Sequence, residues 1–286
     1  MTSRRVTFLA ILTLLAGTLA LPARAVRDLT FEDRVDAQRA IERVYYHHQI
    51  ATQRTFEAAV GRDVLERKVR GYLAQSEALE RVWRAPIRAE QLDAELARIV
   101  RSTRFPERLR ELFRALGDDP LLVRECLVRP VLVDRLVRSF LAGDRTIQES
   151  PRREADSIFD RLASGRIDPG TAHPRRTIRD LPLGPPSGGT ALGDRRPRSV
   201  PEEVGRPGPV IESRDAFTVE VPLSRDASVS RVAVYSVPKV DWDEWSMRQP
   251  EPSATLAIAI PASSIAALPP LPDAGSPSCV PDDTWS

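Results

Sequence analysis

The chain has 286 residues, enough for one or two domains of ordinary size. Its 42 Lys and Arg against 40 Asp and Glu leave a formal charge of +2, and the two signs are interspersed, which excludes the basic face or stripe of a dedicated nucleic-acid binder. Hydrophobic residues at 42% can furnish a core, but 25 prolines and 14 glycines cannot all sit inside regular elements, so part of the second half is expected to be irregular.

Residues 1–25 read as a cleaved secretory signal. Arg4 and Arg5 form the positive start, Val6 to Leu21 is an uncharged apolar run, and Ala23-Arg24-Ala25 offers small residues at the two positions a signal peptidase reads. The run is too short for a spanning helix. The mature chain, residues 26–286, is therefore expected outside the cytoplasm, periplasmic or extracellular, without stable membrane insertion. An oxidising compartment permits a bridge between Cys126 and Cys279, yet nothing in the sequence brings the two together. His47, His48 and His173 offer no paired spacing to complete a zinc site with such distant thiols, so no metal and no cofactor is expected.

From Leu29 to Ala142 the pattern is a succession of amphipathic helices. Thr30 is an N-cap with Asp33 in the first turn, followed by Phe31, Val35, Ile41, Val44, Tyr45 and His48 at three- and four-residue intervals. A second helix carries Leu65, Val69, Tyr72, Leu73, Ser76 and Leu79 on one stripe. A third opens after Pro86 and groups Leu92, Leu96, Ile99 and Val100. Pro106 suits the first turn of a fourth, which Gly117 stops. Asp119-Pro120 restarts the helix, Pro130 breaks or kinks it, and Leu132, Leu136, Val137 and Phe140 continue to Gly143.

In order and spacing, the stretch from Val64 to Arg138 resembles the N-terminal helical region of SurA-type periplasmic chaperones and their peptidyl-prolyl isomerase relatives. The matching pieces are Leu65 to Leu73, Ile87 to Ile99, Phe105 to Phe113, the Gly117 turn and Leu121 to Val137. Downstream, a short strand is expected at Arg145 to Gln148, feeding a helix N-capped by Ser150 with Pro151 in its first turn. Ala155 to Gly165 is similar to the opening helix of a parvulin isomerase domain. Ser187 to Gly193 is similar to that family's glycine turn, and Gly208 to Ser213 with Ala216 to Val221 to its closing strands. The resemblance implies a sheet in which Arg145–Gln148 pairs with Phe217–Val221. It also calls for histidines on the first and last strands, where this chain has Thr146, Gln148 and Thr218.

Phe217, Val219 and Val221 alternate, as do Val232 and Val234 before Tyr235, which reads as a hairpin across Ser224 to Ser230. Trp242 and Trp245 are expected to cover it. From Gln249 onward the composition becomes rich in Pro, Ala and Ser, the signature of a linker or disordered tail. Its end, Pro281 to Ser286, weakly resembles the lead-in to a kelch-type repeat.

The expected fold class is α+β, mostly α: a helical module over 26–143, then a degenerate parvulin-like helix and small antiparallel sheet over 144–248 with an irregular insertion at 166–207, then the tail 249–286. The expected function is an exported chaperone-like protein of the SurA and isomerase type that binds non-native polypeptide without isomerase catalysis. Tyr72, Phe105, Phe113 and Phe217 are the candidate client-contact residues; no catalytic residue is assigned. An active peptidyl-prolyl isomerase with an unusual polar set, and a structural adaptor of a larger surface repeat protein, are the two competing classes.

Overall fold

Thr30 starts the first helix by the capping box its sequence implies: its hydroxyl accepts from the Asp33 N–H while the Asp33 carboxylate accepts from the Thr30 N–H at 2.9 Å. The structure, a computed structural model, describes residues 28–49, 54–182, 203–226, 228–249 and 267–271. The expected signal at residues 1–25, the expected glycine turn at Ser187 to Gly193, Cys279 and the ending read as repeat-like lie outside these residues.

The helices run α1 Phe31–His47, α2 Phe56–Ala59, α3 Arg62–Arg81, α4 Ala89–Ser102, α5 Pro106–Ala115, α6 Pro120–Leu122, a π-helical stretch Val123–Val128, α7 Arg129–Gly143 and α8 Glu149–Ala163. Gly117, at a φ of 68°, ends α5 as its position implies, and the Asp118 N–H closes back on the Phe113 carbonyl at 2.8 Å. Pro130 does not break the chain into two helices. The turns before it widen instead, with the Arg129 N–H reaching the Arg124 carbonyl five residues back, so one continuous helical rod carries a π-bulge.

Two apolar clusters fill the helical module. The first joins one side of α1 to α4, α5, α6 and the π-helical stretch through Ile41, Leu92, Leu96, Leu112, Phe113 and Val123. The second joins α1 to α3 and α7 through Val35, Leu65, Val69, Tyr72, Leu79 and Val137. Between them lies a buried ionic triad. Glu125 accepts from both Arg34 nitrogens at 3.1 Å and from Arg129 at 2.8 and 2.9 Å, with all three side chains at most 2% exposed. The Tyr72 hydroxyl stands 3.5 Å from Arg34. Burial works against the Arg34 charge, but Tyr72 and Glu125 outweigh it and its pKa is raised.

The fold class is α+β, mostly α. Its sheet has β1 Arg176–Pro182, β2 Ile211–Glu212, β3 Ala216–Arg225 and β4 Val229–Pro238, antiparallel in the order β1-β4-β3-β2. The expected hairpin forms as β3 and β4, with a shorter connection than Ser224 to Ser230. α8 covers one face, packing Ala155, Ile158 and Leu162 on Phe217, Val219, Val221 and Tyr235.

The strand expected at Arg145–Gln148 is absent, and with it the pairing to Phe217–Val221. The Asp144 carboxylate accepts from the N–H groups of Thr146 and Ile147 at 3.0 and 3.2 Å, and the Gln148 N–H bonds the Asp144 carbonyl, which curls these residues into a turn. α8 accordingly starts at Glu149 rather than after a Ser150 cap. The outer strand is instead β1, inside the stretch read as an irregular insertion. Trp242 and Trp245, in α9 Trp242–Ser246, do not cover the hairpin; Trp245 stacks on Trp83 at 5.3 Å and joins the second helical cluster.

Removing the carboxylate from the triad leaves two guanidinium groups buried and unpaired. Glu125→Leu is expected to lower unfolding stability by about 3–5 kcal/mol, read by urea denaturation; a change within about 0.5 kcal/mol, the range of an ordinary surface substitution, contradicts the triad's role.

Candidate polypeptide-binding surface

Three of the four candidate contact residues are core. Tyr72 is 5% exposed, Phe113 4% and Phe217 2%; the first two fill the helical clusters and the third lies under α8, so a client could reach none of them without unfolding the chain. Tyr72 and Phe113 lie on the inward faces of amphipathic helices, and Phe217 on the inward face of β3. Phe105 differs. It sits immediately before Pro106 at the start of α5, outside the helical stripe, and is 61% exposed.

Around Phe105 the structure assembles a patch that periodicity did not indicate. The Arg108 guanidinium lies over the Phe105 ring, 4.9 Å from its centre. Tyr45, 40% exposed near the end of α1, lies within the field of the same guanidinium: burial and the Glu42 carboxylate raise its phenol pKa, while Arg108 pulls it back. His48 meets Glu111 at 2.6 Å and ties the end of α1 to α5. The edge where α1 and α5 meet thus presents the exposed Phe105 with Arg108 over its ring, and Tyr45 close enough to feel that arginine's charge. Tyr45 shares the helical spacing of the buried α1 residues yet is exposed, because it stands at the end of the helix.

A stretch expected to be tail is packed as well. Leu268 and Leu271 lie against the first apolar cluster, along with the partly buried Val44, Ile87, Ile99, Leu122 and Leu136.

Two hollows accompany the sheet. One, of about 520 Å³, separates α7 from the end of β4 and is walled by Asp134, Arg138, Arg214, Lys239, Asp241 and Trp242. Its buried lysine is already neutralised: Lys239 Nζ donates to Glu212 at 2.7 Å and to the Ala142 carbonyl at 2.6 Å. The other, of about 450 Å³, is lined by Ile178, Val204, Leu223, Asp168, Arg176 and Arg231 on the sheet face past the end of α8. His173 packs edge-on to Tyr235 nearby, ring centres 5.4 Å apart, and the Tyr235 hydroxyl is buried without a hydrogen-bond partner. No histidine stands at Thr146, Gln148 or Thr218; His173 reaches the sheet from the loop before β1.

Among the described residues no cluster of His, Cys, Asp and Glu could hold a metal ion, and no helix is long and apolar enough to cross a membrane. Comparison with protein-family models, with curated proteins and with solved structures returns no match.

Cys126 lies 2% exposed in the first cluster. Burial pushes its thiol up to about 12, the Glu125 carboxylate adding to the shift and the nearby Arg34 opposing it. The native state therefore keeps a proton that the unfolded chain gives up. The stability this supplies is complete below the ordinary thiol value of 9.0 and is lost as pH rises toward 12. In a Cys279→Ser chain at pH 8, an aromatic disulfide reagent is expected to label Cys126 only after unfolding; rapid native labelling contradicts the assigned burial.

Proposed function

We propose that this chain is an exported chaperone-like protein of the SurA and peptidyl-prolyl isomerase type, which holds non-native polypeptide on its helical module and does not isomerise it. The observation that supports this best is the seating of Ala267–Leu271, a stretch outside any helix or strand, whose two leucines rest on the first apolar cluster. A surface that accepts an extended apolar stretch of its own chain has the chemistry to accept one from another. The aromatic edge at Tyr45 and Phe105 adds exposed rings, which supply large contact area at low side-chain entropy cost. Binding by shallow apolar contact is weak because the client loses conformational freedom on docking, and weak, reversible holding is what such a protein requires.

Suppression of the aggregation of a denatured β-barrel client tests the reading. At equimolar ratio the chain is expected to slow light scattering, and Tyr45→Ser with Phe105→Ser to weaken the effect several-fold while changing stability by no more than about 0.5 kcal/mol per substitution. No suppression by the wild-type chain sinks the holdase reading and leaves the adaptor role.

One arrangement favours the isomerase as a second reading: His173 beside the unpartnered Tyr235 hydroxyl, next to the hollow on the sheet. Isomerisation must lower a barrier of about 18–20 kcal/mol, which asks for polar groups held at the twisting amide in a site closed to water. Ile178 and Val204, at 46% and 53% exposure, leave this hollow open. A proline-isomerisation assay on a tetrapeptide is expected to give the buffer rate; acceleration abolished by His173→Ala would put the enzyme in place of the holdase.

A further inference from the structure

The five residues Ala267–Leu271 read Ala-Leu-Pro-Pro-Leu, and their exposure has a period of three: Ala267 and Pro270 are exposed, Leu268 and Leu271 are partly buried on the first cluster, and Pro269 is half-buried between them. Three residues per turn is the repeat of the polyproline II helix, which rises about 3.1 Å per residue and which two adjacent prolines favour by holding φ near about −65°. Leucines three apart then project from one side, roughly 9 Å from each other.

The surface beneath explains why such a segment suits it. The first cluster, against which both leucines pack, is built almost wholly from helices, with Val44 of α1, Ile99 of α4, Leu122 of α6 and Leu136 of α7 also partly buried on it. Helices leave no free row of N–H and C=O groups, so an extended ligand cannot be held here by strand addition. Any of its own N–H groups that become covered lose water without gaining a partner, at a cost of about 1–3 kcal/mol each. Pro269 and Pro270 bring no N–H at all. A helical apolar surface therefore selects, among extended chains, those whose covered backbone is proline.

We propose that this face is a binding site for proline-rich polypeptide with leucine-like side chains three residues apart, and that Ala267–Leu271 occupies it as a tethered competitor. The proposal rests on the polypeptide-binding reading above and gives it a ligand class and a restraint. Tethers commonly supply effective concentrations of about millimolar. If the free segment binds at about 0.1 mM, the tether fills the site in most molecules and weakens a competing peptide about tenfold. Only clients better matched than Leu-Pro-Pro-Leu, or present at high local density, displace it.

The test is fluorescence anisotropy with a fluorescein-labelled peptide carrying Ala-Leu-Pro-Pro-Leu, titrated with the full wild-type chain and with the full chain bearing Leu268→Asp and Leu271→Asp. The substituted chain is expected to bind the peptide about tenfold more tightly, and a peptide with both prolines replaced by alanine to bind it more weakly. Equal affinity for the two chains overturns the tethered competitor. No binding to a substituted chain that keeps the wild-type circular dichroism overturns the site. Should the substituted chain not fold, the same peptide with a photoreactive benzoylphenylalanine at its first leucine is cross-linked to wild type in excess. Attachment within α1, α4, α6 or α7 supports the site, and attachment confined to the sheet overturns it. A wild-type dimer that the two substitutions dissolve would put the segment on a second copy and overturn the tether. Aggregation suppression, measured on the same chains, separates failure of this site from failure of the holdase reading: clients held at Tyr45 and Phe105 while the peptide goes unbound leave the holding function standing and remove only this site.

Discussion

Two guanidinium groups share one carboxylate in the middle of the helical module, and the arrangement of its helices follows from that shortage. Arg34, Glu125 and Arg129 are buried with an excess positive charge, which is tolerable only because the Glu125 oxygens accept four hydrogen bonds and the Tyr72 hydroxyl stands by Arg34. The geometry admits little change: shifting α1 against the π-helical stretch by one residue would turn Arg34 away from Glu125 and leave both charges without partners. As stabilisation such a triad is no better than apolar residues of equal volume; its effect is to make the wrong registers costly. The π-bulge belongs to the same constraint. It brings Glu125 and Arg129 onto the seam between the two apolar clusters while Pro130 continues the rod without an N–H of its own. A second charged tie, Glu95 with Arg98 and Arg135 at 2.7 and 2.8 Å, fastens α4 to α7 at the module's edge.

The sheet is fastened to this frame by polar contacts at one end of α7. The Gln148 amide donates to the carbonyls of Leu141 and Val240 at 3.0 Å and accepts from the Val240 N–H at 2.9 Å. It serves as a one-residue bridge between the helical rod and the exit of β4. Lys239 caps the Ala142 carbonyl beside it, and the stack of Phe140, Trp83 and Trp245 closes the joint with apolar area. These contacts explain why Arg145–Gln148 cannot be a strand. In a strand, the Gln148 side chain would have to leave the three backbone groups it satisfies, and each buried group left without a partner costs about 1–3 kcal/mol.

The helical periodicities, the stop at Gly117, the Pro106 start and the β3–β4 hairpin were legible in the sequence because each is a local pattern with a local cause. The errors share another origin. Arg176–Pro182 shows no apolar alternation because β1 is an edge strand whose Arg179, Asp180 and Pro182 guard against further pairing, so its sequence resembles a loop. Glu125 and Arg129, spaced four apart, look like any solvated helix pair; only the partner from α1, 91 residues away, marks them as buried. Tyr72, Phe113 and Phe217 are aromatic residues at helical or alternating spacing, which is what a core requires. Phe105 is as aromatic as they are and is exposed because it precedes its helix. Local pattern could not separate these cases, since all depend on what packs opposite.

A surface for unfolded chains must be apolar enough to bind and polar enough not to bind itself. On the proposed reading Arg108 serves both demands at the α1–α5 edge: half-buried, with its Nε covered and without a hydrogen-bond partner, it stacks on Phe105 and shields one ring face, and a client's aromatic ring replaces a contact worth about 0.5–2 kcal/mol. The partly buried Leu268 and Leu271 cover the first cluster in the same way, and as half-exposed side chains they have less buried area to give up on lifting than a core residue has. Such covers set a threshold. On the proposed function, a client whose apolar residues bury more area than the cover does displaces it, and a folded protein, whose apolar residues already face inward, does not.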